Sequence, residues 1–183
     1  MKQNLCQRLQ NLLSCGIIDL GDTMKKQKAE KTNVMRILEQ HKLPYTSHDY
    51  TSTGAVSGME VVEALGQEPG QMFKTLVTQG ASRAYYVFMV PVNAELDLKK
   101  AARTVGEKSI AMIKSKELLP LTGYIHGGCS PIGMKKQFPT TIHETAETYE
   151  TIFFSGGKIG CQIETSLSDL RAILPVKSAD IIV

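Results

Sequence analysis

The 183-residue chain is long enough for one domain with a sizeable core, and it needs no disulfide or metal staple. Hydrophobic residues make up 42% and charged residues 21%, which excludes a disordered chain and an integral membrane protein. The formal net charge of +3 is too small to indicate a nucleic-acid partner by itself. The longest apolar run, Tyr85 to Val92, is far short of a membrane span, and the N-terminus lacks a signal-peptide pattern. Cys6, Cys15, Cys129 and Cys161 form no CxxC pair, so no zinc site or disulfide framework is expected. A cytoplasmic protein with reduced thiols follows.

The charge is unevenly placed. Residues 1–23 are neutral. Residues 24–42 carry six basic side chains against two acidic ones, and residues 43–183 carry 13 against 14. Within that body, residues 99–116 hold Lys99, Lys100, Arg103, Lys108, Lys114 and Lys116 against Glu107 alone. Such a patch suits an anionic partner or an ordinary solvated face. The first 23 residues differ in character from the rest, and Met24 is a plausible alternative start. Residues 1–30 are expected to form a weakly ordered extension, and residues 31–183 the domain.

In chain order, Thr32 or Asn33 caps a helix carrying Val34, Ile37 and Leu38, which Pro44 ends. Tyr45 to Tyr50 reads as a strand. Ser57 and Glu60 form a capping box for a helix with Val61, Val62 and Leu65, stopped at Gly66. Phe73 to Thr78 and Tyr85 to Val90 read as a hairpin. Asp97 caps a helix with a stripe of Leu98, Ala101, Ala102 and Val105, leaving Lys99, Lys100 and Arg103 off the stripe. Ile110 to Ile113 is a strand, and Ser115 opens a short helix expected to break at Pro120. Strands follow at Thr140 to His143, Thr151 to Ser155 and Ile159 to Ile163, the last two joined through Ser155-Gly156-Gly157-Lys158. Thr165 or Ser166 caps a final helix, and Val176 begins an extended end. Short strands mixed with helices predict an α+β fold with a mixed, mainly antiparallel, barrel-like sheet and surrounding helices.

Two features carry chemistry. In Gly127-Gly128-Cys129-Ser130-Pro131-Ile132-Gly133, paired glycines let backbone N–H groups approach an anion or developing oxyanion; a tight turn is the equal alternative. Lys74, in an apolar β-run, either faces water or projects into a cleft as a point charge for a phosphate or carboxylate. Thr75 points to the opposite face. Cys129 with His126 or His143 as base is a weak nucleophile signal, since no characteristic motif surrounds it. The histidines show no metal spacing, and no Walker loop, dinucleotide fingerprint or HExxH occurs.

Taken together, these pieces resemble the YbaK/EbsC family of aminoacyl-tRNA deacylases, nearest its Cys-tRNA(Pro) deacylase branch. The matching segments are Lys31-Thr32-Asn33, Phe73-Lys74-Thr75-Leu76, Leu98-Lys99-Lys100-Ala101-Ala102, Thr122-Gly123-Tyr124 running into Gly127 to Lys136, and Ser155-Gly156-Gly157-Lys158. The resemblance implies an editing-domain fold and trans hydrolysis of Cys-tRNA(Pro), an error that arises because a small apolar synthetase site rejects cysteine weakly. It implies that the substrate's own thiol attacks its ester, so the protein orients and stabilises without a cofactor or metal. It assigns Lys74 and Gly127 as catalytic, and Tyr50, Thr75, Gly128, Ser130 and Ser155 as substrate-binding. Lys99, Lys100 and Arg103 become a candidate tRNA surface. The implied partners are the acceptor end of tRNA(Pro) and prolyl-tRNA synthetase, with no DNA and no membrane. One departure is Thr53 to Gly58, where the family often carries an aromatic pocket wall; this leaves the amino-acid preference open. The alternatives are a deacylase for another mischarged tRNA such as Ala-tRNA(Pro), a non-catalytic tRNA- or synthetase-binding module, and a generic nucleotide binder, which has no phosphate loop in its support.

Overall fold

In the computed structural model, residues 30–183 are described, and Lys31–Val183 forms one compact unit. The extension expected over residues 1–30, and the possible start at Met24, lie outside the described residues apart from Glu30. The elements run α1 (Asn33–Gln40), β1 (Thr46–Asp49), α2 (Gly58–Leu65), β2 (Phe73–Gly80), β3 (Tyr85–Pro91), α3 (Leu98–Val105), β4 (Ile110–Met112), α4 (Ser115–Thr122), β5 (Thr140–His143), β6 (Ile152–Ser155), β7 (Cys161–Thr165), α5 (Leu167–Ile173) and β8 (Val176–Ala179), with short 3-10 turns at Thr51–Thr53 and Glu144–Thr148.

The fold is α+β with two sheets, ordered β1-β7-β6 and β4-β2-β3-β5-β8. Pairing is antiparallel except for β3–β5 and β5–β8, which are parallel. A parallel bridge between Met72 and Phe153 links the sheets, which do not close into a barrel.

Three clusters fill the interior. β3 is buried on both faces, which is why its sequence is continuously apolar. Val87 and Met89 join Phe73, Val77 and Ile142 in the main core, beneath Val34, Met35 and Leu38 of α1 and Leu167 and Leu170 of α5. On the opposite face Phe88 and Val90 pack with Ala101 and Ala102 of α3 and with Ile181. Val61 and Val62 of α2 meet Tyr50, Met72, Val92 and Phe153 in a third cluster.

Helix ends follow the local chemistry. Thr32 accepts the Met35 N–H at 3.3 Å, Ser57 and Glu60 complete their capping box, and the Asp97 carboxylate accepts N–H groups from Lys99 and Lys100. Ser166, and not Thr165, caps α5; Thr165 is the last residue of β7, and its hydroxyl donates to the Pro44 carbonyl at 2.9 Å.

Four expectations shift. β2 extends to Gly80, because Gln79 and Gly80 find partners on both β3 and β4 or the adjoining turn. β7 begins at Cys161, since Gly157 and Gly160 take positive φ in the preceding turn. Leu98 is half exposed at the first turn of α3, leaving Ala101 and Ala102 as the buried stripe. Pro120 does not break α4, which continues to a left-handed cap at Gly123. A proline there removes one bond, to the Lys116 carbonyl, and both residues are exposed so that water replaces it. The Thr122 hydroxyl and the Gly123 N–H close the last turn on Leu118 and Leu119.

Candidate active site

The site lies where the two sheets part along β2. At the start of β2 the Phe153 N–H donates to Gln71 O at 3.0 Å, and at its far end Thr78, Gln79 and Gly80 pair with β4. The Ile113 N–H donates to the Val77 carbonyl at 3.3 Å, and strand alternation puts the peptide groups of Thr75 on that same edge. Among the described residues no strand pairs with this edge between Phe73 and Val77. The gap opens into a cavity of about 430 Å3, a size suited to a small organic group.

Five predicted residues meet there: Tyr50, Lys74, Thr75, Gly127 and Ser155. Lys74 and Thr75 lie on opposite faces of β2, and both reach the cavity because it sits at the strand's open edge. Tyr50 is buried and forms a wall continuous with the α2 cluster. Lys74 Nζ pairs with Glu95 Oε1 at 2.9 Å; Glu95 is 81% exposed, so the pair is weak, on the order of 0–1 kcal/mol, and readily exchanged for another anion. The Glu95 carbonyl in turn accepts the Val183 N–H at 3.1 Å, tying this loop to the chain's last residues.

Gly128 and Ser130 do not line the cavity. Gly128 is buried, and a Cβ there would lie 3.2 Å from the backbone of Lys158 and Ile159. Ser130 is fully buried, and its hydroxyl accepts the Ile132 N–H at 3.4 Å. They shape the glycine loop that places Gly127, whose φ of +82° suits glycine. The loop is pinned further by the Tyr124 hydroxyl donating to the Ile132 carbonyl at 2.6 Å.

Cys129 also borders the cavity, but burial pushes its thiol up to about 12. It is therefore protonated near neutral pH and offers no thiolate. Cys129→Ala is expected to keep deacylation within about threefold of wild type, measured as single-turnover rates; a loss resembling that of a true nucleophile would contradict this. Among the described residues no three His, Cys, Asp or Glu side chains are grouped as metal ligands.

The sequence reading missed Gln162. It is 1% exposed, lines the cavity, and pairs in register with Ser155. Its Nε2 touches only the Met72 sulfur at 3.0 Å, and its Oε1 has no partner. Thr75 Oγ1 is likewise buried without a partner. Both atoms belong to residues that line the cavity, and neither finds a hydrogen-bond partner within the protein. The signal for Gln162 was only its alternation with buried neighbours in β7, which an isolated glutamine does not advertise. At the segment lacking the expected aromatic, Val56, Ser57 and Gly58 form the wall, and Val56 is 85% exposed.

The candidate tRNA surface on α3 is divided. Lys99 and Arg103 are exposed, whereas Lys100 Nζ is held by Asp180 and by the Ile182 carbonyl, each at 2.8 Å.

Comparison with known proteins bears on the family and the fold. The model of the aminoacyl-tRNA editing domain family matches residues 54–173, spanning β2, the glycine loop and the Ser155 hairpin. A protein of Enterococcus faecalis, provisionally named as the Cys-tRNA(Pro)/Cys-tRNA(Cys) deacylase EbsC, is 47% identical over 158 residues, covering 86% of this chain and 96% of that one. The chain belongs to the YbaK/EbsC family of aminoacyl-tRNA editing domains. A crystal structure described as a candidate trans-editing enzyme for prolyl-tRNA synthetase superposes with TM-score 0.70 at 26% identity, covering 83% of this chain and 98% of that one. A hypothetical protein superposes with TM-score 0.75 at 18% identity, covering 82% and 99%, and shows the shared fold. No helix among the described residues is long and apolar enough to cross a membrane.

Proposed function

We propose that this protein is a trans-editing hydrolase that deacylates Cys-tRNA(Pro). The observation that carries the reading is the junction of Lys74, the Thr75 edge and Gly127 around one cavity, in a chain 47% identical to a protein provisionally named for that activity.

The chemistry proposed is the one the family resemblance implies, and the lining of the cavity is compatible with it. Its one cysteine is protonated, and its one histidine, His126, is exposed at the mouth with no partnered base behind it. As the family resemblance implies, the attacking group is the substrate's own thiol, and the lining offers no competing protein thiolate. Its sulfur bonds to the ester carbonyl carbon, the carbon–oxygen bond to the terminal ribose breaks, and the thiol proton ends on the departing hydroxyl by way of water. Water afterwards opens the resulting thiolactone to free cysteine. The protein supplies proximity and charge stabilisation. Lys74 exchanges Glu95 for a phosphate of the terminal nucleotide. The Gly127 region borders the carbonyl, and Gln162 and Thr75 belong to the same lining. Selectivity for tRNA(Pro) comes partly from docking with prolyl-tRNA synthetase.

A panel of tRNA(Pro) charged with cysteine, alanine or proline tests the assignment. Hydrolysis of the cysteinyl ester is expected to be fastest by on the order of 100-fold, because the alanyl and prolyl esters carry no thiol to attack their own carbonyl. Faster hydrolysis of Ala-tRNA(Pro) would transfer the assignment to that substrate. No hydrolysis of any would leave a binding module.

A further inference from the structure

A second set of exposed lysines, separate from α3, adjoins in sequence residues that line or cover the cavity. Met112 and Ser115 are exposed and line the cavity, and Lys114 and Lys116 flank Ser115, both exposed. Across the site, Ile159 lies over Gly127, within 3.6 Å of the position a Cβ would take there, and is 53% exposed; exposed Lys158 precedes it. None of the three lysines makes an ion pair among the described residues. The neighbouring acids are engaged with backbone. Glu117 accepts the Lys114 N–H, Glu60 accepts those of Val56 and Ser57, and Asp49 accepts that of Thr51. Hydrogen bonds from Thr51, and then the charge of Lys158, hold the Asp49 carboxyl below the usual range.

Resting on the editing reading above, we propose that Lys114, Lys116 and Lys158, together with Met112 and Ile159, form the track for the unpaired 3′-terminal nucleotides of the RNA. The lysines meet successive phosphates, and the two apolar side chains lie against bases. An ester held in the cavity forces the adjoining nucleotides across its mouth, and the track offers both chemistries that a single strand presents. The track has no aromatic platform, so binding is weak and salt-sensitive.

The test is fluorescence anisotropy with a short single-stranded RNA matching the tRNA 3′ end and carrying no amino acid. Wild type, the triple variant Lys114→Ala/Lys116→Ala/Lys158→Ala and the pair Lys99→Ala/Arg103→Ala are compared across salt concentrations. All five side chains are exposed, so melting curves should coincide. The triple variant is expected to bind on the order of tenfold more weakly. The magnitude of its slope of log affinity against log salt should fall by about 2, from three single-strand phosphate contacts. The Lys99/Arg103 pair should leave this short RNA unaffected. Wild-type affinity and slope in the triple variant would overturn the proposal, as would undetectable binding by wild type, or a defect seen only with a synthetase present. Loss of oligonucleotide binding without any hydrolysis by wild type would keep the track and reject the editing reading. Normal hydrolysis with an unchanged slope would do the reverse.

Discussion

Lys74→Ala is expected to lower kcat/KM for Cys-tRNA(Pro) by about 100- to 1,000-fold while the protein stays folded. The lysine sits at the open edge of β2, and its only charged partner among the described residues is the highly exposed Glu95. Removing it costs the fold a surface ion pair of at most about 1 kcal/mol, a few degrees of melting temperature. Removing it from the complex takes away the one lysine or arginine that lines the cavity among the described residues, just where an anionic nucleotide must be held. Parallel melting curves and single-turnover rates separate the two effects. Lys74→Arg should recover only part of the rate, because a planar fork does not reproduce a compact ammonium. A variant that melts normally and hydrolyses at the wild-type rate would remove Lys74 from the site.

Gly128→Ala should reduce kcat/KM on the order of 10- to 100-fold, although residue 128 does not touch the cavity. The new Cβ would lie 3.2 Å from the backbone of Lys158 and Ile159, and backbone cannot swing aside as a side-chain tip does. The glycine loop and the Ser155 hairpin must part by a few tenths of an ångström. Gly127, Ile159 and Ser155 then shift together. Catalysis by orientation is sensitive to displacement on this scale, with losses of about 100-fold for a 1 Å error. The expected pattern is a fall in kcat with a smaller change in KM, checked by single-turnover titration. An unchanged kcat would mean that the loop's exact placement is immaterial.

Much of this site was legible in the sequence because the residues that matter break local rules. Lys74 interrupts an apolar β-run, and Gly127-Gly128 requests backbone freedom where no simple hairpin demands it. The helix starts were legible to within a residue: Ser57 and Asp97 cap as expected, and the choices between Thr32 and Asn33 and between Thr165 and Ser166 fall to Thr32 and Ser166. Long-range geometry was not legible. The opening along β2 exists because β6 and β4 attach to the same edge and leave a gap between them, and pairing partners far apart in sequence leave no local trace. Gln162 was missed for the same reason, because only the register with Ser155 and the contact with Met72 reveal an orphaned amide. Lys100 looked free until Asp180, distant in sequence, proved to hold it. Pro120 was misread because an exposed carbonyl tolerates a lost hydrogen bond that a buried one would not.

The central claim is that the substrate's thiol performs the attack, and single-turnover hydrolysis of Cys-tRNA(Pro) against Ser-tRNA(Pro) by the wild-type protein tests it most directly. The two esters differ by one atom, so both fit the cavity and only the nucleophile changes. The account predicts a rate constant for the cysteinyl ester at least on the order of 100-fold higher, roughly 3 kcal/mol in barrier, with the ratio unchanged in Cys129→Ala. Equal rates for the two esters would contradict it and point to attack by water.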